Sequence, residues 1–157
     1  MFITNNIKST LVRYLNIEKD IIVFKFIENQ EIKKELNLNL GFEYIAKNYF
    51  KREIPLEDEI EYAINYIEDG LMSNKELINQ KETLIVENKF LNEILEDESK
   101  KEYSIEEIEA IFSQYAYLSM GSPIKNKSLK ITHNHYATIL LVREILHHLN
   151  FEKMIIN

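Results

Sequence analysis

All four histidines of this chain lie in one segment near its C-terminus, THNHYATILLVREILHHLNF. His133 and His135 are at its start, and His147 and His148 are near its end. Imidazole binds transition metals and transfers protons near neutral pH, so metal binding and acid–base catalysis are the chemistries to consider. The segment is predicted to be helical, and in a helix His135 and His147 would lie roughly 18 Å apart. One ion therefore cannot bind all four rings within one chain, and the two pairs are treated separately.

The first pair follows a basic, acid-free stretch in an otherwise acidic sequence, IKNKSLKITHNH. Its candidate anion-binding residues are Lys127, Lys130, His133 and His135. Ammonium groups attract anions, and histidine can add hydrogen-bond donors or act as a general acid or base. This stretch is the strongest candidate for a functional site in the sequence.

The start of the last helix, predicted from about residue 134 to residue 150, strengthens this candidate. Thr132 and Asn134 are both suitable N-cap residues. The unpaired backbone N–H groups and the positive end of the helix dipole favour a bound anion at such a point. A lysine-rich surface loop followed by an ordinary helix cap explains the same residues, and this plain interpretation stays open beside the small-anion site.

The second pair contains Glu144 and His147 at the E-x-x-H spacing of di-iron carboxylate bundles. Such bundles need a second copy of the motif, which the sequence lacks and which only a symmetric dimer could supply. Histidines near a helix C-terminus interact favourably with the last carbonyls, and His148 is one turn after Glu144. The sequence therefore predicts no metal site, with Glu144 and His147 as the alternative.

Between its two histidine pairs the last helix is apolar on nearly all sides. The apolar positions are Tyr136, Ala137, Ile139, Leu140, Leu141, Val142, Ile145, Leu146 and Leu149. A helix of this kind is buried in the core of a domain or in an oligomer interface. The pattern therefore predicts a buried final helix and is compatible with a homo-oligomer.

Composition is that of a folded domain without the usual catalytic motifs. The chain has 157 residues, 45% of them hydrophobic, with 3 glycines, 2 prolines and no cysteine. This length predicts a single domain, residues 1–157. The lack of cysteine excludes thiol catalysis and disulfides, and three glycines are too few for the glycine-rich loops that bind nucleotides. No cofactor is predicted.

The net charge of −7 argues against two classes of partner. An acidic surface repels both the phosphate backbone of nucleic acids and anionic membranes. The sequence contains neither an apolar window long enough to span a membrane nor the pattern of a secretory signal. We therefore expect a cytoplasmic protein that does not bind membranes, and nucleic acid is a disfavoured partner.

Residue patterns predict strands at the N-terminus and helices after them. STLVRYL and DIIVFKFI are rich in β-branched and aromatic residues, and LNLNL is either a third strand or the approach to a helix. Both faces of DIIVFKFI are apolar, which predicts a strand covered on both sides. Residues 73–101 contain either a short strand, TLIVE, followed by a helix, or one long helix. MIIN at the C-terminus is a candidate added strand.

Helix signals are clearest after residue 41. Pro55 is expected at the first position of one helix, and Ser104 with Glu107 forms a capping box at the start of another, which Gly121 should terminate. Together the elements predict an α+β fold in which N-terminal antiparallel strands pack against four to five helices, with the final helix buried.

These observations predict a non-catalytic cytoplasmic binding or assembly protein that forms a homo-oligomer or binds a partner protein. Two alternatives stay open. One is a small-anion-binding domain or enzyme that uses Lys130, His133 and His135 at the start of the last helix. The other is a regulator associated with nucleic acid.

Overall fold

Six strands and five α-helices make up the part of the chain, residues 10–157, that the computed structural model describes. In chain order they are β1 (Leu11–Ile17), β2 (Ile22–Glu28), β3 (Glu31–Leu38), α1 (Phe42–Tyr49), α2 (Glu57–Met72), β4 (Thr83–Glu87), α3 (Lys89–Leu95), β5 (Glu102–Ser104), α4 (Ile105–Ser119), α5 (His133–His148) and β6 (Lys153–Ile156), with a short 3-10 turn at Lys75–Leu77 between α2 and β4. The predicted α+β class is confirmed, with N-terminal strands packed against helices and a buried last helix.

All six strands form one mixed sheet in the order β3-β2-β1-β4-β6-β5. The first three strands form the predicted antiparallel unit. Strand β4 then pairs parallel with β1, and β6 pairs parallel with β4. The carboxyl ends of β1, β4 and β6 therefore point to the same side of the sheet, which is where ligands bind in many α/β folds.

Helix α5 is the centre of the helical layer, because it packs against all four other helices. Its residues from Tyr136 to Val142 are each at most 2% exposed. The apolar positions that cover nearly every side of this helix are thus buried within the chain itself. They provide no exposed surface for a second copy.

Two helix starts illustrate how the capping signals work. Ser104 and Glu107 form the predicted capping box, in which the backbone N–H of each residue donates to the side chain of the other at 3.1 Å. The prediction for Pro55 is wrong by two positions, since α2 begins at Glu57. The carboxylate of Glu59 accepts a hydrogen bond from the backbone N–H of Leu56 at 3.0 Å, which places the cap after the proline.

The undecided segments take definite forms. TLIVE is strand β4, and a separate helix, α3, follows it. LNLNL is divided, because β3 ends at Leu38 and Leu40 packs into the core. Strand β2 is covered on both faces only in its first half, since Lys25 and the residues after it are half-exposed. In residues 10–157 no helix is long and apolar enough to cross a membrane.

Candidate functional site

A cleft of about 710 Å³ lies beside α3, near the end of β6. Its walls are formed by α3 and the loop after it, by the end of β6, and by one residue of the loop before α5. The lining residues are Asn92, Glu93, Leu95, Glu96, Asp97, Glu98, Lys101, Lys130 and Ile156. A polar cleft beside the carboxyl end of a parallel strand is the default place to look for a ligand site in this type of sheet.

The position of α3 beside the sheet is fixed by Asn88, which directly follows β4. The Asn88 side chain is buried and donates to the carbonyl of Ile17, the last residue of β1, at 2.8 Å. Its amide oxygen accepts from the backbone N–H of Leu91 at 2.9 Å and so caps the helix. One side chain thus connects β1, β4 and the start of the helix that carries Glu93.

Lys130 enters the cleft from a segment whose backbone is anchored. Its carbonyl accepts a hydrogen bond of 2.6 Å from the hydroxyl of Tyr115, which is fully buried. Burial raises the pKa of Tyr115, so this phenol stays a neutral donor at physiological pH. The side chain of Lys130 is exposed and free to meet a ligand, whereas its backbone position is fixed.

His135 connects the start of α5 to the cleft wall. It is 5% exposed, and its Nε2 donates to the carboxylate of Glu93 at 2.7 Å. Its Nδ1 is in hydrogen-bond contact with the hydroxyl of Thr132. The ring also packs edge-on against Phe90 at a centroid distance of 5.0 Å, which fixes its orientation. Thr132, His135 and Glu93 therefore form a chain of hydroxyl, imidazole and carboxylate.

The structure separates the two histidines of the first pair. His133 Nε2 donates to the carbonyl of Arg52 at 2.6 Å, and its ring packs near Phe50. Residues two apart in a helix point to nearly opposite sides, so His133 faces the loop between α1 and α2 while His135 faces α3. Lys127 is exposed and does not line the cleft. Of the four candidate anion-binding residues, Lys130 lines the cleft and His135 contacts Glu93 of its wall. Anion binding by the set stays a prediction.

At the other end of α5 the ionisable side chains pair with one another. Glu144 is buried and accepts from Arg143 Nη1 at 2.6 Å and from His148 Nε2 at 3.1 Å, as expected for the predicted helix pair. His147 Nε2 instead donates to Glu109 of α4 at 3.0 Å. Glu144 and His147, the alternative metal pair, thus have different partners. Within residues 10–157 no group of three or more metal-ligating side chains is found.

The start of α1 is closed to ligands by the turn between β1 and β2. The backbone N–H of Phe42 donates to the carbonyl of Glu18 at 3.0 Å. The N–H groups of Glu43 and Tyr44 donate to the carbonyl of Lys19 at 3.0 and 3.1 Å. Donors that would otherwise attract an anion are already satisfied by the protein backbone. This leaves the start of α5 as the more accessible helix terminus near the cleft.

Glu93 and Lys101 were not identified from the sequence. Both belong to the stretch whose secondary structure the sequence left undecided, and the charged run around them is typical of a solvated surface. One signal was present, because Asn88 precedes an apolar-periodic segment and is a good N-cap residue. Recognising that cap would have placed Glu93 in the second turn of a short helix.

Comparison with known proteins reveals similarity of structure without detectable similarity of sequence. No family model and no curated protein matches the chain. Its structure is similar to that of the Aquifex aeolicus PPX-GPPA enzyme, with a TM-score of 0.74 and 12% identity over 96% of this chain and 54% of that one. An exopolyphosphatase from Cytophaga hutchinsonii matches with a TM-score of 0.71 and 12% identity, again over 96% and 54%. An exopolyphosphatase-like protein matches with a TM-score of 0.73 and 6% identity, over 95% and 55%.

The chain thus shares its fold with these proteins and spans about half of their length. This finding contradicts the predicted non-catalytic binding or assembly protein, because the solved structures that it resembles are described as phosphatases and exopolyphosphatases. The physical source of the error is α5. Its apolar surface suggested an interface between proteins, but four helices of the same chain cover it.

Proposed function

We propose that this domain binds and hydrolyses a small phosphate-chain anion, with inorganic tripolyphosphate as the simplest example, in the cleft between α3 and Lys130. The observation that carries the proposal is that Lys130 lines the same cleft as Glu93, the carboxylate that contacts His135. The fold shared with phosphatases supports it. Because the chain covers about 54% of those structures, catalysis by this chain is part of the proposal.

Side chains supply the phosphate contacts within the cleft, since the sequence has no glycine-rich phosphate loop and the start of α1 is closed. Lys101 and Lys130 line the cleft and supply two ammonium groups. An ammonium–phosphate hydrogen bond is charge-assisted and worth about 1.5–3 kcal/mol. Two such bonds would favour a ligand with several phosphate oxygens over a single small anion.

The acidic residues of the cleft determine the form in which the substrate binds. Glu96, Asp97 and Glu98 outnumber the two lysines and repel a bare polyanion. Magnesium bound to the phosphate chain removes much of this repulsion, because Mg²⁺ bridges phosphate oxygens to one or two carboxylates in many phosphoryl-transfer sites. The proposed substrate is therefore the magnesium complex of the phosphate chain.

Proton transfer is assigned to the His135–Glu93 pair. The carboxylate of Glu93 accepts a hydrogen bond from Nε2–H of His135, so Nδ1 is the ring nitrogen that can take a proton from an attacking hydroxyl. The positive charge that then develops on the imidazole is stabilised by Glu93. This is the arrangement in which a base is oriented by a carboxylate behind it.

The test is release of inorganic phosphate from tripolyphosphate in the presence of magnesium. We expect activity from the unmodified chain and, for Lys130→Gln, a KM that is roughly tenfold higher or more, since one charge-assisted bond is lost. Lys75→Gln is the matched control, because Lys75 is also exposed and lies outside the cleft. Absence of release from the unmodified chain, or equal KM values for the two variants, would contradict the proposal.

A further inference from the structure

The hydroxyl group of Thr132 is placed as a nucleophile would be. Thr132 is exposed at the start of α5, with its Oγ1 against Nδ1 of the buried His135. His135 in turn contacts Glu93 at 2.7 Å. A hydroxyl in hydrogen-bond contact with an imidazole that a carboxylate orients is the diagnostic arrangement of an activated nucleophile.

The carboxylate of Glu93 determines the direction of the hydrogen bonds that connect Thr132, His135 and Glu93. An ionised carboxylate can only accept, so the ring proton of neutral His135 is on Nε2, facing Glu93. Nδ1 is then unprotonated and can only accept. The hydroxyl of Thr132 therefore donates to Nδ1, and its proton already points at the base that would remove it.

We propose that Thr132 accepts a phosphoryl group from the phosphate chain and forms a transient phosphothreonine. This inference rests on the proposed function and names the nucleophile of its reaction. The Oγ1–P bond forms while the bridging P–O bond of the terminal phosphate breaks, and the Thr132 proton moves to Nδ1 of His135. The shortened phosphate chain leaves. In the second step water attacks the same phosphorus and the Oγ1–P bond breaks. His135 returns the proton that it took in the first step to Oγ1 of Thr132, and inorganic phosphate leaves with both protons of the water.

The start of α5 favours the negative charge that develops on the phosphoryl group. In the part of the chain that the structure describes, the backbone N–H groups of His133 and Asn134 have no acceptor, as is usual in the first turn of a helix. They lie beside the cap residue, Thr132. A phosphate at this position gains from these donors and from the helix dipole. Lys130, two residues earlier, adds a positive charge from the cleft.

Thr132 also has a structural role, which the test must separate from the chemical one. Its Oγ1 accepts from the backbone N–H of His135 and caps α5. Thr132→Asn keeps an efficient cap and removes the hydroxyl, whereas Thr132→Ser keeps both. Ser128→Ala is the matched control, because Ser128 is an exposed hydroxyl residue of the same loop that contacts Asn126 rather than a base.

The experiment combines rapid-quench kinetics of tripolyphosphate cleavage with intact-mass measurement and peptide mapping of the quenched protein. We expect the unmodified protein, Thr132→Ser and Ser128→Ala to release a burst of the shortened phosphate chain. Each should also gain the mass of one phosphoryl group, which maps to residue 132. Thr132→Asn should melt at the temperature of the unmodified chain, show no mass increase and lose at least roughly a hundredfold in rate, as expected when a nucleophile is removed.

Two results would overturn the inference and differ in what they leave standing. Phosphate release by Thr132→Asn at the rate of the unmodified chain would exclude the phosphothreonine while the proposed function stands. Failure of the unmodified chain to cleave tripolyphosphate would remove the proposed function as well.

Discussion

At the scale of single residues, Arg13 stands out because its charged side chain is fully buried, away from water. It is 0% exposed, and Glu82 accepts two hydrogen bonds from it, at 2.8 Å from Nε and 2.6 Å from Nη2. The guanidinium group also stacks over the ring of Phe26 at 4.0 Å. Burial lowers the pKa of Arg13, and the hydrogen bonds to Glu82 oppose that shift. The core therefore depends on a matched pair of charges between β1 and the residue before β4.

Removing one charge of this pair should substantially lower the free energy of unfolding. For Glu82→Gln we expect the free energy of unfolding in urea to fall by about 3 kcal/mol or more, because a buried guanidinium loses its countercharge. Glu31→Gln is the matched control, since Glu31 pairs with Lys33 on the surface and such pairs contribute at most about 1 kcal/mol. Similar losses for the two variants would show that the Arg13–Glu82 pair is not needed for the core.

At the scale of elements, the β1–β2 turn and the start of α1 form one unit. Gly41 donates its N–H to the carbonyl of Asp20 at 3.1 Å, and α1 begins directly after it. A side chain at this position has no room, because a Cβ atom on Gly41 would lie 2.1 Å from the carbonyl oxygen of Lys19. The requirement for glycine thus comes from close approach of two backbone segments.

Gly41→Ala should therefore separate the turn from the helix. We expect a loss of about 3 kcal/mol in the free energy of unfolding, since two backbone segments must move apart. Gly121 provides the comparison, because it has a φ of +94° and no atom within 4 Å of an added Cβ. Gly121→Ala should cost about 1–2 kcal/mol from backbone strain alone. Chemical denaturation of both variants measures the difference, and an equal cost would refute the close approach.

Local signals in the sequence were sufficient for most elements but not for their arrangement. The capping box of Ser104 and Glu107 and the stop at Gly121 were predicted correctly, because these features depend on neighbouring residues. The parallel pairing of β1 with β4, and of β4 with β6, joins segments about seventy residues apart and leaves no local pattern. The cleft depends on that pairing and so could not be predicted.

At the scale of the whole molecule, the prediction of function failed because one observation had two explanations. The apolar surface of α5 fits an oligomer interface or a central core helix, and the structure shows the second. Identity of 6–13% with the similar structures is too low for the sequence to reveal the shared fold. Of the candidate anion-binding residues, Lys130 lines the cleft and His135 contacts Glu93 of the cleft wall. The His135–Glu93 contact joins residues 42 positions apart, and no local pattern in the sequence indicates it.

The most direct test of phosphate-chain binding is calorimetric titration of the chain alone with magnesium tripolyphosphate. It addresses the central question for a chain that spans about half of the similar enzymes, namely whether this half contains the site. We predict one binding site per chain and, for Lys101→Gln combined with Lys130→Gln, affinity weakened roughly a hundredfold, since two charge-assisted bonds are lost. Absence of binding to the unmodified chain, or equal affinity for the double variant, would contradict a phosphate site in this cleft.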